Sequence, residues 1–335
     1  MALQYDAPTS TANFTSALTA NAAISTATLE AITDLLGGGD TVAVGSFNGT
    51  TLQAPEGVQA VVANIPGSAG QTVELDLPET ALDTASVWVL NSNANLSVNF
   101  DTTAASASEL VTQGALVTKA TADTTVVDLL VVGGNGNDTI TTAAGDDTVV
   151  SGLGQDTVDG GEGFDVVQIN GASSNYSFAV ENGTLVATST DGKVSVTAEN
   201  VEAISFGETD NVMIATNEAD AQALRLYETL LDRAPDIDGA KYWLNDIDQG
   251  QSIHDLAASF IASNEFQNLG TISNEAFIEQ VYQNGLGRSA EAEGVAYWLN
   301  DLANGQDRAD VAISIVGSPE AADAIQSVVI VTGQV

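Results

Sequence analysis

Between Gly133 and Gln168 the chain repeats itself every nine residues, four times over. The units read Gly-Gly-Asn-Gly-Asn-Asp-Thr-Ile-Thr from 133, Thr-Ala-Ala-Gly-Asp-Asp-Thr-Val-Val from 142, Ser-Gly-Leu-Gly-Gln-Asp-Thr-Val-Asp from 151 and Gly-Gly-Glu-Gly-Phe-Asp-Val-Val-Gln from 160. The fourth place is always Gly (Gly136, Gly145, Gly154, Gly163). The sixth is always Asp (Asp138, Asp147, Asp156, Asp165), and the eighth is β-branched (Ile140, Val149, Val158, Val167). A short fixed period of this kind constrains the backbone to a stack of equivalent coils.

Each unit supplies about six residues of turn and about three of strand. The glycines allow positive φ and close approach of backbone to an ion. The eighth residue points inward and stacks on its equivalents. With two units per coil, units one and three share one side and units two and four the other. This pairs Asp138 with Asp156 and Asp147 with Asp165. Stacked turns rich in carboxylates and carbonyls offer oxygen alone, which suits Ca2+ with its roughly six to eight oxygen ligands. The glycine carbonyls of the second and fourth places (Gly134, Gly136, Gly145, Gly152, Gly154, Gly161, Gly163) are the expected co-ligands, not assigned individually. The competing reading is a flexible Gly/Asp loop, and four units in register speak against it.

These residues resemble the RTX family, the secreted calcium-binding repeat proteins of bacteria. Unit two departs from the pattern at Thr142 and Ala143, and unit three at Ser151. The Asp138–Asp156 site is therefore the safer of the two. The resemblance implies a parallel β-roll, calcium as cofactor, and export through a type I exporter by an uncleaved C-terminal signal. The N-terminus shows no basic stretch followed by an apolar core. The apolar tail from Ser327 to Val335 is either the end of such a signal or a closing strand.

Net charge narrows the partners. The chain has 335 residues, with 7 Lys and Arg against 45 Asp and Glu, a formal charge of −38. Nucleic acid needs clustered cations and is excluded as a natural partner. Self-repulsion opposes compaction until cations neutralise it. Hydrophobic residues make up 44% of the chain, which argues against a disordered acidic polymer. There is no cysteine, so disulfides and thiolate metal sites are excluded. No apolar run approaches the roughly 20 residues that span a bilayer, so no membrane insertion is expected.

Around the repeats the expected fold is multidomain α+β. Residues 1–132 read as a β-rich domain, either a sandwich or a degenerate roll stacked on the repeats, with a short helix over Ser25–Leu36. Asn13–Ile24 is ambiguous between helix and strand. Val73, Leu75 and Leu77 alternate with polar residues, as do Leu96, Val98 and Phe100. Trp88 in the run Val87–Leu90 reads as core. Residues 133–212 hold the β-roll and capping strands, with hairpin turns at Asn182-Gly183 and Asp191-Gly192. The segment Asn200–Phe206 resembles the one that often closes RTX rolls, and it would cover unpaired backbone.

Residues 213–335 read as an all-α domain of two copies, about 223–268 and 278–323, at a spacing of 55. Tyr227 matches Tyr282, Arg233 matches Arg288, and Tyr242-Trp243 matches Tyr297-Trp298. The Tyr-Trp pairs read as core anchors, and each Arg stands near an acid, Asp236 or Glu291. These copies look like a tandem helical domain of unknown function that often follows RTX repeats and occurs in surface-layer proteins. Asp236-Ile-Asp238-Gly239 opens like a calcium loop but lacks the later ligands of an EF-hand.

Catalytic groups are scarce. His254 is the one histidine, so a two-histidine zinc helix is excluded. No Gly-x-Ser-x-Gly elbow faces it, and it reads as solvated or capping. A non-enzymatic role is expected. The reading is a secreted calcium-binding structural protein that folds on calcium outside the cell. It would assemble with itself into a surface layer, filament or biofilm matrix. The alternative is a calcium-dependent adhesin or carbohydrate-binding module with cell-surface glycans as partners.

Overall fold

The computed structural model describes residues 9–18, 41–54, 57–75, 77, 85–100, 128–207, 209–268, 270 and 272–332. Two compact units emerge, one within Met1–Gly207 and the other within Glu208–Gln334. The helix expected over Ser25–Leu36 lies outside the described residues. The ambiguous stretch from Asn13 is helical at its start, as part of α1 (Thr11–Leu18).

The first unit opens with a small antiparallel pair, β1 (Thr9–Ser10) and β2 (Thr41–Val42). Two larger sheets follow. The first contains β3 (Val44–Phe47), β4 (Leu52–Gln53), β5 (Ala60–Asn64), β7 (Val87–Asn91), β9 (Leu130–Val132), β11 (Thr148–Val150), β13 (Val166–Gln168) and β17 (Ala203–Ser205). Its order is β17-β13-β11-β9-β7-β5-β3-β4, parallel throughout except for β3 with β4. The second contains β6 (Thr72–Leu75), β8 (Asn95–Asn99), β10 (Thr139–Thr141), β12 (Gln155–Asp159) and β16 (Ser195–Glu199), again parallel. β14 (Tyr176–Glu181) and β15 (Thr184–Ser189) extend it as antiparallel strands beyond β16.

From β5 to β13 the chain alternates between the sheets, so each return lands one strand further along. The eighth place of every repeat faces the interior. Leu75, Val98, Ile140, Val158 and Ala198 form one column in register. Val61, Trp88, Val131, Val149, Val167 and Ile204 form the other. All of these residues are buried. Each Val, Leu or Ile so buried contributes about 1.5–3 kcal/mol. Trp88 is core, as expected; it meets Phe47 and Phe100 edge-on and donates its indole N–H to the Ala85 carbonyl at 2.8 Å. The outer face of the first sheet is also covered, with Phe14 of α1 packed among Val42, Val44, Val87 and Val89. Two buried faces explain why these strands read as continuous apolar runs. On the second sheet the opposite face is open, and Thr139 and Thr157 there are exposed.

No break in pairing falls at 132/133: β8 bonds to β10 and β9 to β11. The body before the repeats and the repeats themselves share both sheets.

The second unit contains β18 (Asn211–Ala215), parallel to β19 (Val328–Ile330). Between them lie α2 (Glu218–Leu231), α3 (Ile237–Asp248), α4 (Ile253–Ala262), α5 (Asn264–Asn268), α6 (Asn274–Leu286), α7 (Ala292–Ala303), α8 (Arg308–Val316) and α9 (Pro319–Ala324). The last four repeat the first four. Caps recur with them: Asn217, Ser252, Ser273, Asp307 and Ser318 each accept from backbone N–H groups of the first turn. Asp236 caps α3 in the same way, accepting from Gly239 N–H, and pairs with Arg233 at 2.9 Å. Its loop is thus a helix cap. Arg233 also holds Glu265, and the second copy repeats the triad as Arg288, Glu291 and Glu320.

Two expectations for this unit need correction. It is largely helical rather than all-α, since the apolar runs of β18 and β19 pair as strands on either side of the helices. Tyr242 and Tyr297 are each 57% exposed, so they are not core anchors. Adjacent helical positions point about 100° apart, and the core takes Trp243 and Trp298 from each pair. The buried tyrosines are Tyr227 and Tyr282. Among the described residues no helix is long and apolar enough to cross a membrane.

Candidate metal centre

The four sixth-place aspartates lie at the starts of strands, Asp156 inside β12 and the other three just before β10, β11 and β13, 1–2% exposed. Each is anchored by backbone of the coil before it. Asp156 accepts from Asp138 N–H at 2.9 Å and Asp165 from Asp147 N–H at 2.8 Å, both across 18 residues. Asp147 accepts from Leu129 N–H at 2.7 Å. Asp138 accepts from Leu96 N–H at 2.8 Å and from Gly134 N–H at 3.0 Å. The structure therefore stacks Asp138 with Asp156 and Asp147 with Asp165, on opposite sides.

These bonds use both oxygens of Asp138 but only one oxygen of Asp147, Asp156 and Asp165. Asp147 Oδ2, Asp156 Oδ2 and Asp165 Oδ2 are buried without a hydrogen-bond partner among the described residues. An ionised oxygen in that position is costly unless a charge compensates it. Burial accordingly pushes all four carboxyls above their usual range. Asp156 is raised to about 7 and Asp165 to about 9, chiefly by desolvation, with the neighbouring Asp138 and Asp147 adding repulsion.

The predicted glycine places sit at the points of closest contact. A Cβ on Gly152 would lie 2.1 Å from Gly134 O, and one on Gly154 2.1 Å from Gly136 O. On the other side a Cβ on Gly163 would lie 1.9 Å from Gly145 O, and one on Gly161 2.0 Å from Ala143 O. All four have positive φ, as does Gly145. Gly134 and Gly136 stack in turn on Ser92 and Ala94. Carbonyl oxygens and buried carboxylates are thus gathered in each stacked turn, and nitrogen and sulfur ligands are absent from the set. That donor set, with its unpartnered oxygens, fits a hard divalent cation such as calcium.

Three features escaped the sequence reading. The fifth-place side chains form a second ladder: Asn137 N–H donates to Asn95 Oδ1, Gln155 N–H to Asn137 Oδ1, Asp146 N–H to Asp128 Oδ1 and Phe164 N–H to Asp146 Oδ1. In register with the repeats, Leu96 and Leu129 therefore occupy the acid's place. Glu202, beyond the last repeat, accepts from Asp165 N–H at 2.6 Å and is pushed up to about 7 by burial. In the second unit His254 Nε2 faces Asp307 at 3.2 Å and Asp310 at 3.7 Å. These three could hold a metal ion, though all are partly open to solvent.

A profile for the RTX calcium-binding nonapeptide repeat, four copies, matches residues 132–167. This stretch is an RTX-type calcium-binding repeat region. A separate profile, DUF4214, a domain of unknown function, matches 217–269 and 257–325. The chain thus carries an RTX-type region followed by a DUF4214 helical region. No curated protein matches it. Among solved structures it is similar to the extracellular lipase LipA from Serratia marcescens, at 19% identity and a TM-score of 0.23. That match covers 45% of this chain and 20% of the lipase chain, and likeness at that level carries no argument about activity.

Proposed function

We propose that this chain is a calcium-dependent structural protein whose RTX region winds into a β-roll that is only marginally folded until calcium occupies its turns. The observation that carries the reading is the set of three buried, unpartnered carboxylate oxygens on Asp147, Asp156 and Asp165. Calcium would be held by Asp138 with Asp156 and by Asp147 with Asp165, together with glycine carbonyls of the same turns. When bound, it supplies the positive charge that lets buried carboxylates stay ionised. The residues themselves fix the turns: backbone N–H groups orient each carboxylate, and glycines let the coils close on one another. The antiparallel β14 and β15 act as the cap at one end.

Such a chain at −38 stays loose where calcium is scarce and compacts where it is plentiful, because a ligand that binds only the folded form stabilises it by mass action. Export through a type I exporter, an extracellular location and assembly with itself into a layer, filament or matrix complete the proposal. A non-catalytic role fits the scarcity of catalytic groups. The second reading is adhesion to cell-surface glycans. It is favoured by Tyr242 and Tyr297, exposed aromatic rings at equivalent places in the two helical copies, since such rings suit stacking on sugars.

Titration with calcium, followed by circular dichroism and electron microscopy, tests both readings. The expected result is gain of β-structure followed by ordered sheets or filaments. Monomers that bind glycans would replace the assembly reading with the adhesin one. Unchanged β-structure in metal-free protein would overturn calcium-dependent folding.

A further inference from the structure

The calcium region does not end with the last nonapeptide. Val166 pairs with Ala203, so Glu202 stands against Asp165 as Asp165 stands against Asp147. Its hydrogen bond repeats the pattern of the repeats: Glu202 Oε2 accepts from Asp165 N–H at 2.6 Å, as Asp165 Oδ1 accepts from Asp147 N–H at 2.8 Å. The return bonds run from Glu202 N–H and Ala203 N–H to the Asp165 carbonyl at 3.0 and 3.2 Å.

The turn around Glu202 is shorter than those of the repeats. Gly160 N–H bonds to the Glu199 carbonyl at 3.0 Å, which sets Gly160 against Asn200. Residues 160–165 of the repeat therefore face only residues 200–202. Asn200 takes φ +48, the left-handed conformation that the glycines supply elsewhere. A glutamate reaches one methylene further than an aspartate, which suits an acid carried on a tighter turn.

Asp165 has already used Oδ1, and its Oδ2 is unpartnered in a side chain 2% exposed. That oxygen lies close beside Gly160: a Cβ there would be 2.6 Å from Asp165 Oδ2 and 2.2 Å from the Asn200 carbonyl oxygen. The carboxylate oxygen and the carbonyl oxygen thus lie less than about 5 Å apart, as two ligands of one calcium ion do, and a second carboxylate, that of Glu202, is bonded to the Asp165 N–H. Oxygens that share a calcium ion each lie about 2.3–2.6 Å from it.

We infer that Asp165, Glu202 and the Asn200 carbonyl form a further calcium site, one layer beyond the nonapeptide repeats. The inference rests on the calcium reading above and adds a site outside the matched repeat region. In it Glu202 is a ligand, and the strands after the repeats are joined to them by an ion as well as by backbone pairing.

Native mass spectrometry of the full chain at rising calcium counts the bound ions, with Glu202→Gln as the variant. Glutamine keeps an oxygen to accept the Asp165 N–H and removes only the charge. The wild type is expected to bind three ions, one per carboxylate layer, and Glu202→Gln one fewer with its circular dichroism in calcium unchanged. Equal counts in the two proteins would overturn the inference while leaving the repeat sites intact. Should the variant fail to fold, the count for a chain carrying His254→Gln, which removes the other candidate metal group, decides, three supporting the site and two overturning it. A wild type that binds no calcium would refute the underlying reading instead.

Discussion

Replacing Asp156 by Asn should change stability in opposite directions with and without calcium. Asparagine preserves the shape of the side chain and an oxygen to accept the Asp138 N–H, a bond of 2.9 Å in the wild type. It removes the charge from a group 2% exposed whose second oxygen has no partner. Burial raises the carboxyl from 3.8 to about 7. One unit corresponds to about 1.4 kcal/mol, so ionised Asp156 costs the ion-free fold up to about 4 kcal/mol above pH 7. Urea unfolding followed by circular dichroism at pH 8 reads this out. In chelator Asp156→Asn should be more stable than wild type by a sizeable part of that figure. In millimolar calcium it should be the less stable protein, because a ligand is lost. A variant less stable than wild type in chelator would show that the buried carboxylate is not a source of strain, and the argument from unpartnered oxygens would fall.

Acidity should act in the same sense as that substitution. The raised carboxyls, Asp156 to about 7 and Asp165 to about 9, make the ion-free fold bind more protons than the unfolded chain. Its stability should therefore fall as pH rises from about 4 to about 9; a melting temperature in chelator that climbs over this range would contradict it. Gly163→Ala would set a Cβ 1.9 Å from Gly145 O at φ +144, and should cost roughly 2–4 kcal/mol in calcium. Gly192→Ala also has positive φ but meets nothing within 4 Å, and should cost only about 1–2 kcal/mol; equal losses in urea unfolding would refute the role of close coil contact. Trp88→Ala should cost about 3–5 kcal/mol, since Trp88 is fully buried in an inner column.

The repeats announced themselves because two places in nine are invariant and a third is always β-branched, and the structure stacks those places as their period requires. The positions before them that line up with the acids were harder to read for a physical reason. Leu96 and Leu129 replace the acid with an apolar side chain while keeping the backbone path, so the bonds persist and the chemical signature does not. Asn95 and Asp128, whose side chains accept from the next coil, were the remaining clue. Glu202 was visible only as part of a closing segment, because its short turn shifts it out of the nine-residue frame. In the helical unit the spacing of 55 located the helices. It did not say which aromatic of each Tyr-Trp pair faces inward, since one residue of phase separates core from solvent. His254 had no local signal at all: its neighbours Asp307 and Asp310 start a helix of the other copy.

The hydrogen bonds that Asp147, Asp156 and Asp165 each accept from the N–H of the residue 18 positions earlier also set a rule for length. Inserting or deleting 18 residues adds or removes a whole coil and leaves every surviving carboxylate above an equivalent partner. A change of nine exchanges the two sides for everything downstream, sending strands of one sheet into the other and setting Glu202 over the wrong column of turns. Duplication in the gene is thus neutral to the fold only in even numbers of nonapeptides. Chains of this design can lengthen without redesigning either end, provided they grow a full winding at a time.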